Sequence, residues 1–144
     1  KIISTVFIFS TIFISCSEEG GGDPDPEPIN PLDTQAAVLN GSWKVKDANS
    51  VTKDGTIVDL FTSLTLSISG GTKDGGNYST SNSDSNEIWP SSGSWTFSGS
   101  DKNKILRSDN VTISISVTET ALRASFTTTG GLKDGNWVFD FVKQ

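Results

Sequence analysis

From residue 41 onward the chain alternates apolar and polar side chains with a period of two. Trp43 and Val45 share one phase, with Ser42, Lys44 and Lys46 on the other, and Leu64, Leu66 and Ile68 alternate with Thr65, Ser67 and Ser69. The rhythm recurs in Trp95 and Phe97, in Val111, Ile113, Ile115 and Val117, in Leu122, Ala124 and Phe126, and in Trp137, Phe139 and Phe141. Side chains of a strand point to opposite faces, so each segment has a buried face and a wet one, as in an antiparallel sheet. Strands are predicted near 41–47, 63–69, 76–82, 92–98, 103–108, 110–118, 120–129 and 136–143, with a small extra hairpin within 49–59. Only Asp33-Thr34-Gln35-Ala36-Ala37-Val38-Leu39-Asn40 reads as helix, with Asp33 or Thr34 capping its start and Gly41 ending it.

Turn chemistry agrees with the strand pattern. Lys-Asp-Gly stands at Lys53-Asp54-Gly55, Lys73-Asp74-Gly75 and Lys133-Asp134-Gly135, and Asp-Gly takes up the positive backbone angles of tight hairpins. The residues flanking the triplets do not repeat, so they mark turns rather than a repeat unit. About eight strands joined in order form a meander, and closing a meander into a barrel removes its exposed edges. An open two-sheet sandwich has the same pattern and is the alternative. The expected fold of residues 33–144 is therefore all-β: an antiparallel up-and-down barrel with a short N-terminal helix.

The region before the helix is of another kind. Lys1 precedes an apolar run through Ile14, followed by Ser15 and Cys16, the only cysteine. A charge, an apolar core and a small residue at the cut make a secretory signal, expected over 1–15. The run is shorter than the roughly 18 residues of a spanning helix. Phe13-Ile14-Ser15-Cys16 resembles a bacterial lipobox, which implies a lipid-modified Cys16 and a membrane as partner through that anchor. Gly20-Gly21-Gly22 and Asp23-Pro24-Asp25-Pro26-Glu27-Pro28 complete an acidic, extended tether over 16–32. Its interleaved prolines prevent the carboxylates from wrapping one calcium ion.

Charge and composition exclude much chemistry. The net charge is −6, and loss of Lys1 with the signal makes it −7, which is unsuited to nucleic acid, whose phosphates need clustered cations. The chain has no histidine, so no Ser-His-Asp or Cys-His catalytic set can form, and zinc would lack its usual ligands. With one cysteine no internal disulfide forms, and stability must come from the apolar core. The remaining carboxylates sit mainly in turns or on outward faces, so no enzyme activity and no cofactor is expected.

Gly41-Ser42-Trp43, placed after a capped helix and ahead of alternating strands, resembles the opening of the lipocalin superfamily. Trp89-Pro90-Ser91-Ser92-Gly93-Ser94-Trp95-Thr96-Phe97 looks like the matching region of lipocalin-like lipoproteins from Bacteroidota. The resemblance spans about residues 38 to 143 and implies that Trp43 plugs the closed end of the barrel. Lipocalins commonly stack an Arg near the last strand on that Trp; here the final stretch has none, and Lys143 is the available cation. Cys16-Ser17-Glu18-Glu19 resembles the export signal of surface lipoproteins from Bacteroidota, which implies the outer membrane and the cell surface. Two functional readings follow. In one, the inward aromatics Trp95, Phe97, Phe126, Trp137, Phe139 and Phe141 line a cup for a small apolar ligand. In the other, those rings are a solid core and the protein is a non-catalytic module that contacts a glycan or protein partner. Trp89, beside Pro90 in a polar loop, is then the candidate presented aromatic, unless it folds back to cap the barrel.

Overall fold

The helix begins earlier than its caps were expected. In the computed structural model, which describes residues 27–144, α1 is Pro31–Leu39 and Asn30 caps it, its side chain accepting from Leu32 N at 2.9 Å. Proline suits the first helical position because its fixed φ is already helical and its missing N–H is not needed there. Asp33, freed from capping, accepts from Lys73 N at 2.6 Å and ties the helix to a hairpin turn. Asn40 closes the C-terminus, its N–H donating to Ala36 O, and Gly41 opens the first strand. Ala36 and Leu39 form the buried face, while Val38, expected there, is half-buried. Cys16, Ser17, Glu18 and Glu19 lie outside the described residues, as do the signal segment and most of the tether.

Ten strands follow among the described residues: β1 (Gly41–Val45), β2 (Val51–Lys53), β3 (Thr56–Ile57), β4 (Thr65–Thr72), β5 (Gly75–Ser81), β6 (Ser92–Ser98), β7 (Asp101–Arg107), β8 (Thr112–Val117), β9 (Ala121–Thr128) and β10 (Gly135–Lys143). From β4 to β10 each pairs antiparallel with the next, β1 pairs with β4, and β1 also pairs with β10 through Trp43↔Lys143 and Val45↔Phe141. That last pairing closes an eight-stranded barrel, so the open sandwich is not the fold. β2 lies on the same edge of β10 as β1. Between β1 and β2 the chain loops out opposite Asp140, whose O accepts from Lys46 N and whose N donates to Ser50 O. The expected extra hairpin is β2–β3, with Asp54 and Gly55 both at positive φ (50° and 81°).

Alternate connections of a meander lie at opposite ends. The turns at 73–74, 99–100 and 118–120 share the end carrying α1, which packs on β4, β7 and β8. The connections 82–91, 108–111 and 129–134 lie at the far end. At the helix end Trp43 is fully buried, its Nε1 donates to Leu39 O at 2.8 Å, and Lys143 Nζ stands 4.9 Å above its ring. Lys143 Nζ also donates to Val38 O at 3.2 Å. The lysine thus makes the cation contact expected at this position and fastens helix to barrel.

One glycine is tightly constrained. Gly75, the last residue of the second Lys-Asp-Gly, has φ +115°, and a Cβ there would lie 2.1 Å from the backbone oxygen of Trp95. Gly75→Ala is expected to destabilise the domain by about 2 kcal/mol, combining backbone strain with displacement of β6. A urea titration beside Gly55→Ala, where a Cβ meets nothing within 4 Å, checks it, since only the first should carry the clash.

Candidate functional site

The six inward aromatics fill the barrel instead of lining a cup. Trp95, Phe97, Phe126, Trp137, Phe139 and Phe141 are all at most 7% exposed. Phe139 stacks with Phe126, Trp137 and Phe141 at centroid distances of 5.9–6.0 Å and meets Phe61 edge-on at 5.4 Å. Trp95 packs edge-on against Phe97. The interior space left among Leu39, Tyr78, Trp89, Trp95, Arg107 and their neighbours is about 20 Å³. That is room for one water, where small-molecule pockets occupy roughly 300–1,000 Å³. An eight-stranded barrel is just wide enough for its own side chains, and these rings take up that width.

Trp89 is not presented to solvent. It is 3% exposed and meets Tyr78, Phe126, Phe139 and Phe141 edge-on. With the fully buried Ile88 it folds from the β5–β6 loop into the far mouth as a plug. A large ring flanked by Ile and Pro has more apolar area to bury than a polar loop has to hold it out, which is why the exposed reading fails. Arg107 completes the plug. Its side chain is 1% exposed, Nη1 donates to Ile88 O at 2.8 Å, and Nε and Nη2 fork onto Asp109 at 3.0 and 2.5 Å. Its guanidinium also lies 5.2 Å from the Trp89 ring and 5.4 Å from Phe126. Burial works to raise the Asp109 carboxyl, but the hydrogen bonds and charge of Arg107 outweigh it and hold that group below the usual carboxylate range. Burial pushes the Tyr78 phenol up.

The large concavity lies outside the packed interior, at the far end. A groove of about 770 Å³ runs between the start of β8 and the end of β9, lined by Asp109–Thr112 and Ser114, by Ser125–Gly131, by Asn136–Val138 on β10, and by Glu87. Its origin is a gap in the sheet. The β8–β9 ladder runs from Val117↔Leu122 to Ser114↔Ser125 and stops, although β8 starts at Thr112 and β9 continues to Thr128. The groove's side chains are mostly hydroxyl and amide, and its charged groups are the carboxylates Glu87 and Asp109. Glu87 Oε1 accepts from Lys133 N at 2.9 Å, joining the plug loop to the β9–β10 loop. At the tip of that second loop Leu132 is 98% exposed.

No protein-family model, curated protein or solved structure matches this chain. The chemistry of its surface must therefore be read from its own residues. Sequence reasoning missed Arg107 and the groove. Arg107 was findable, because it shares the inward phase of Ile105 two residues earlier and has Asp109 two residues later. The gap had no such signal: Thr112 and Thr127 continue the alternation of their strands, and alternation says nothing of where pairing ends.

Proposed function

We propose that this protein is a lipid-anchored, lipocalin-like, non-catalytic interaction module of the outer membrane, facing the cell surface. Its working surface is the polar far-end groove. One observation carries the reading: about 770 Å³ of concave space lies at the far mouth, against about 20 Å³ inside the barrel. A solid barrel carries no cargo, and its role is to present a surface. The anchor rests on Cys16 and the export signal on Ser17-Glu18-Glu19. The geometry suits that arrangement, since residues 27–30 enter α1 at the end opposite the groove. A barrel tethered there turns its groove away from the lipid. Several acyl chains, at about 0.8 kcal/mol per buried methylene, hold such a domain firmly.

The test is site-specific photocrosslinking on intact cells. A benzoylphenylalanine at Thr127, exposed in the groove, is compared with one at Lys102, exposed at the helix end. A discrete crosslinked species from position 127 alone is expected, lost from the membrane fraction when Cys16 is replaced by Ser. Identical patterns at the two positions would overturn the groove as the working surface, and unchanged fractionation of the Cys16→Ser chain would overturn the anchor.

A further inference from the structure

We infer that the β8–β9 gap is a strand-addition site, and that its occupant is an extended peptide segment of a partner protein carrying Lys or Arg. This deepens the groove reading above and rests on it. By the register of the ladder, Ile113 would face Phe126, Thr112 would face Thr127 and Val111 would face Thr128, yet no pairing joins them. Each of these backbones keeps its partner on the other side, β7 for β8 and β10 for β9. What remains is two short facing edges with open space between them. Val111 and Ile113 turn their backbone groups to β7 and Phe126 and Thr128 turn theirs to β10, which leaves those of Thr112 and Thr127 toward the gap. Edges of this kind are templates for another strand, and proteins usually cover them. This protein does so at its other end. There the β7–β8 ladder stops at Lys104↔Ser114, leaving Asp101–Asn103 unpaired with β8, and α1 packs on both strands. Among the described residues nothing covers the β8–β9 gap.

The lining identifies the occupant. Ser114, Ser125, Thr112 and Thr127 are short hydroxyl side chains that let a backbone come close to the sheet surface. Of the two charged groups in the groove, both carboxylates, Asp109 already has Arg107 as its countercharge. That leaves Glu87, on a chain of net charge −6, to favour cationic side chains of the incoming strand. Leu132, beyond Gly130 and Gly131 at the rim, offers an apolar contact for an alternate position. Main-chain hydrogen bonds supply affinity in this mode, and alternating side-chain contacts supply selectivity.

The test uses three capped synthetic ten-residue peptides, titrated by NMR into the full chain held in neutral maltoside detergent. The first alternates Lys and Val. The second is the same peptide with alternate backbone nitrogens methylated, and the third carries Glu in place of Lys. The Lys–Val peptide is expected to slow amide exchange within 111–113 and 126–128. Methylation should weaken it about tenfold or more through loss of backbone hydrogen bonds, and the Glu peptide should bind more weakly still. Equal binding of the methylated peptide, or no protection in those two segments with any peptide, overturns the strand-addition site. Crosslinking from Thr127 on cells would persist in that event if the groove serves another partner, so the two failures are distinguishable.

Discussion

Trp43→Ala is expected to lower the unfolding free energy by about 3–5 kcal/mol, the range for removing a large aromatic from a packed core. Three contacts disappear with the ring: the Nε1–Leu39 O hydrogen bond, the face under Lys143 Nζ, and the packing of a fully buried side chain. Leu39 O would be left without its indole donor at the helix–barrel junction, and Lys143 would keep only Val38 O there. A domain with no disulfide and an ordinary stability of roughly 5–15 kcal/mol has little to spare. Trp89→Ala, which its loop position alone would make mild, is expected to fall in the same range. Its ring touches four other aromatics and the Arg107 guanidinium. Urea titration of both variants checks the pair. A midpoint for Trp89→Ala close to that of the unmodified domain would contradict the plug.

The second large effect concerns the Arg107–Asp109 pair. Asp109→Asn leaves a guanidinium that is 1% exposed without its countercharge, and breaking a buried pair in this way costs about 3–5 kcal/mol. The Asp109 side chain is itself 37% exposed, which places the loss toward the low end of that range. Arg107→Met, which removes the charge and keeps an apolar stem against Trp89 and Phe126, should cost less, because well-packed apolar replacements of ion pairs are often tolerated. The pH dependence has a definite sign. Asp109 titrates below its unfolded value near 3.9, so its stabilisation is complete above about that pH. It is lost as pH falls through the lower, folded value. Urea midpoints of the unmodified chain should therefore decline in acid, and Asp109→Asn should show a shallower decline. Parallel slopes would remove Asp109 from the account.

The parts of this fold that obey a period were legible from residues alone. Inward phases assigned to Trp43, Leu66, Phe97, Ile113, Leu122 and Phe139 all coincide with buried positions, because one strand face must exclude water whatever the pairing. The contact of Trp43 with Lys143 was legible through a family resemblance that no comparison supports, and it is present on its own geometry. Non-periodic features were misjudged, left open between two placements as Trp89 was, or invisible. Asn30 outcompeted Asp33 as cap because Pro31 sets the helix start. Trp89 left its polar loop because the barrel mouth needed filling. Phe61, fully buried at φ 64°, lies in an irregular segment with no strand phase at all. The groove depends on where one ladder ends, a long-range property that no local pattern encodes.

Closure through β1 and β10 also determines when the domain can fold. Trp43 pairs with Lys143, so the contact that seals the barrel joins residues separated by nearly the whole domain. Loop-closure entropy for such a contact is met before any of its packing is gained, and proteins dominated by distant pairings fold slowly for that reason. Until β10 docks, β1 has β4 on one side and nothing on the other, and the aromatic stack on Phe139 does not exist. Without β10 the sheet is open and its apolar face lacks that stack. Late sealing commits the polypeptide to a barrel only after the final strand arrives.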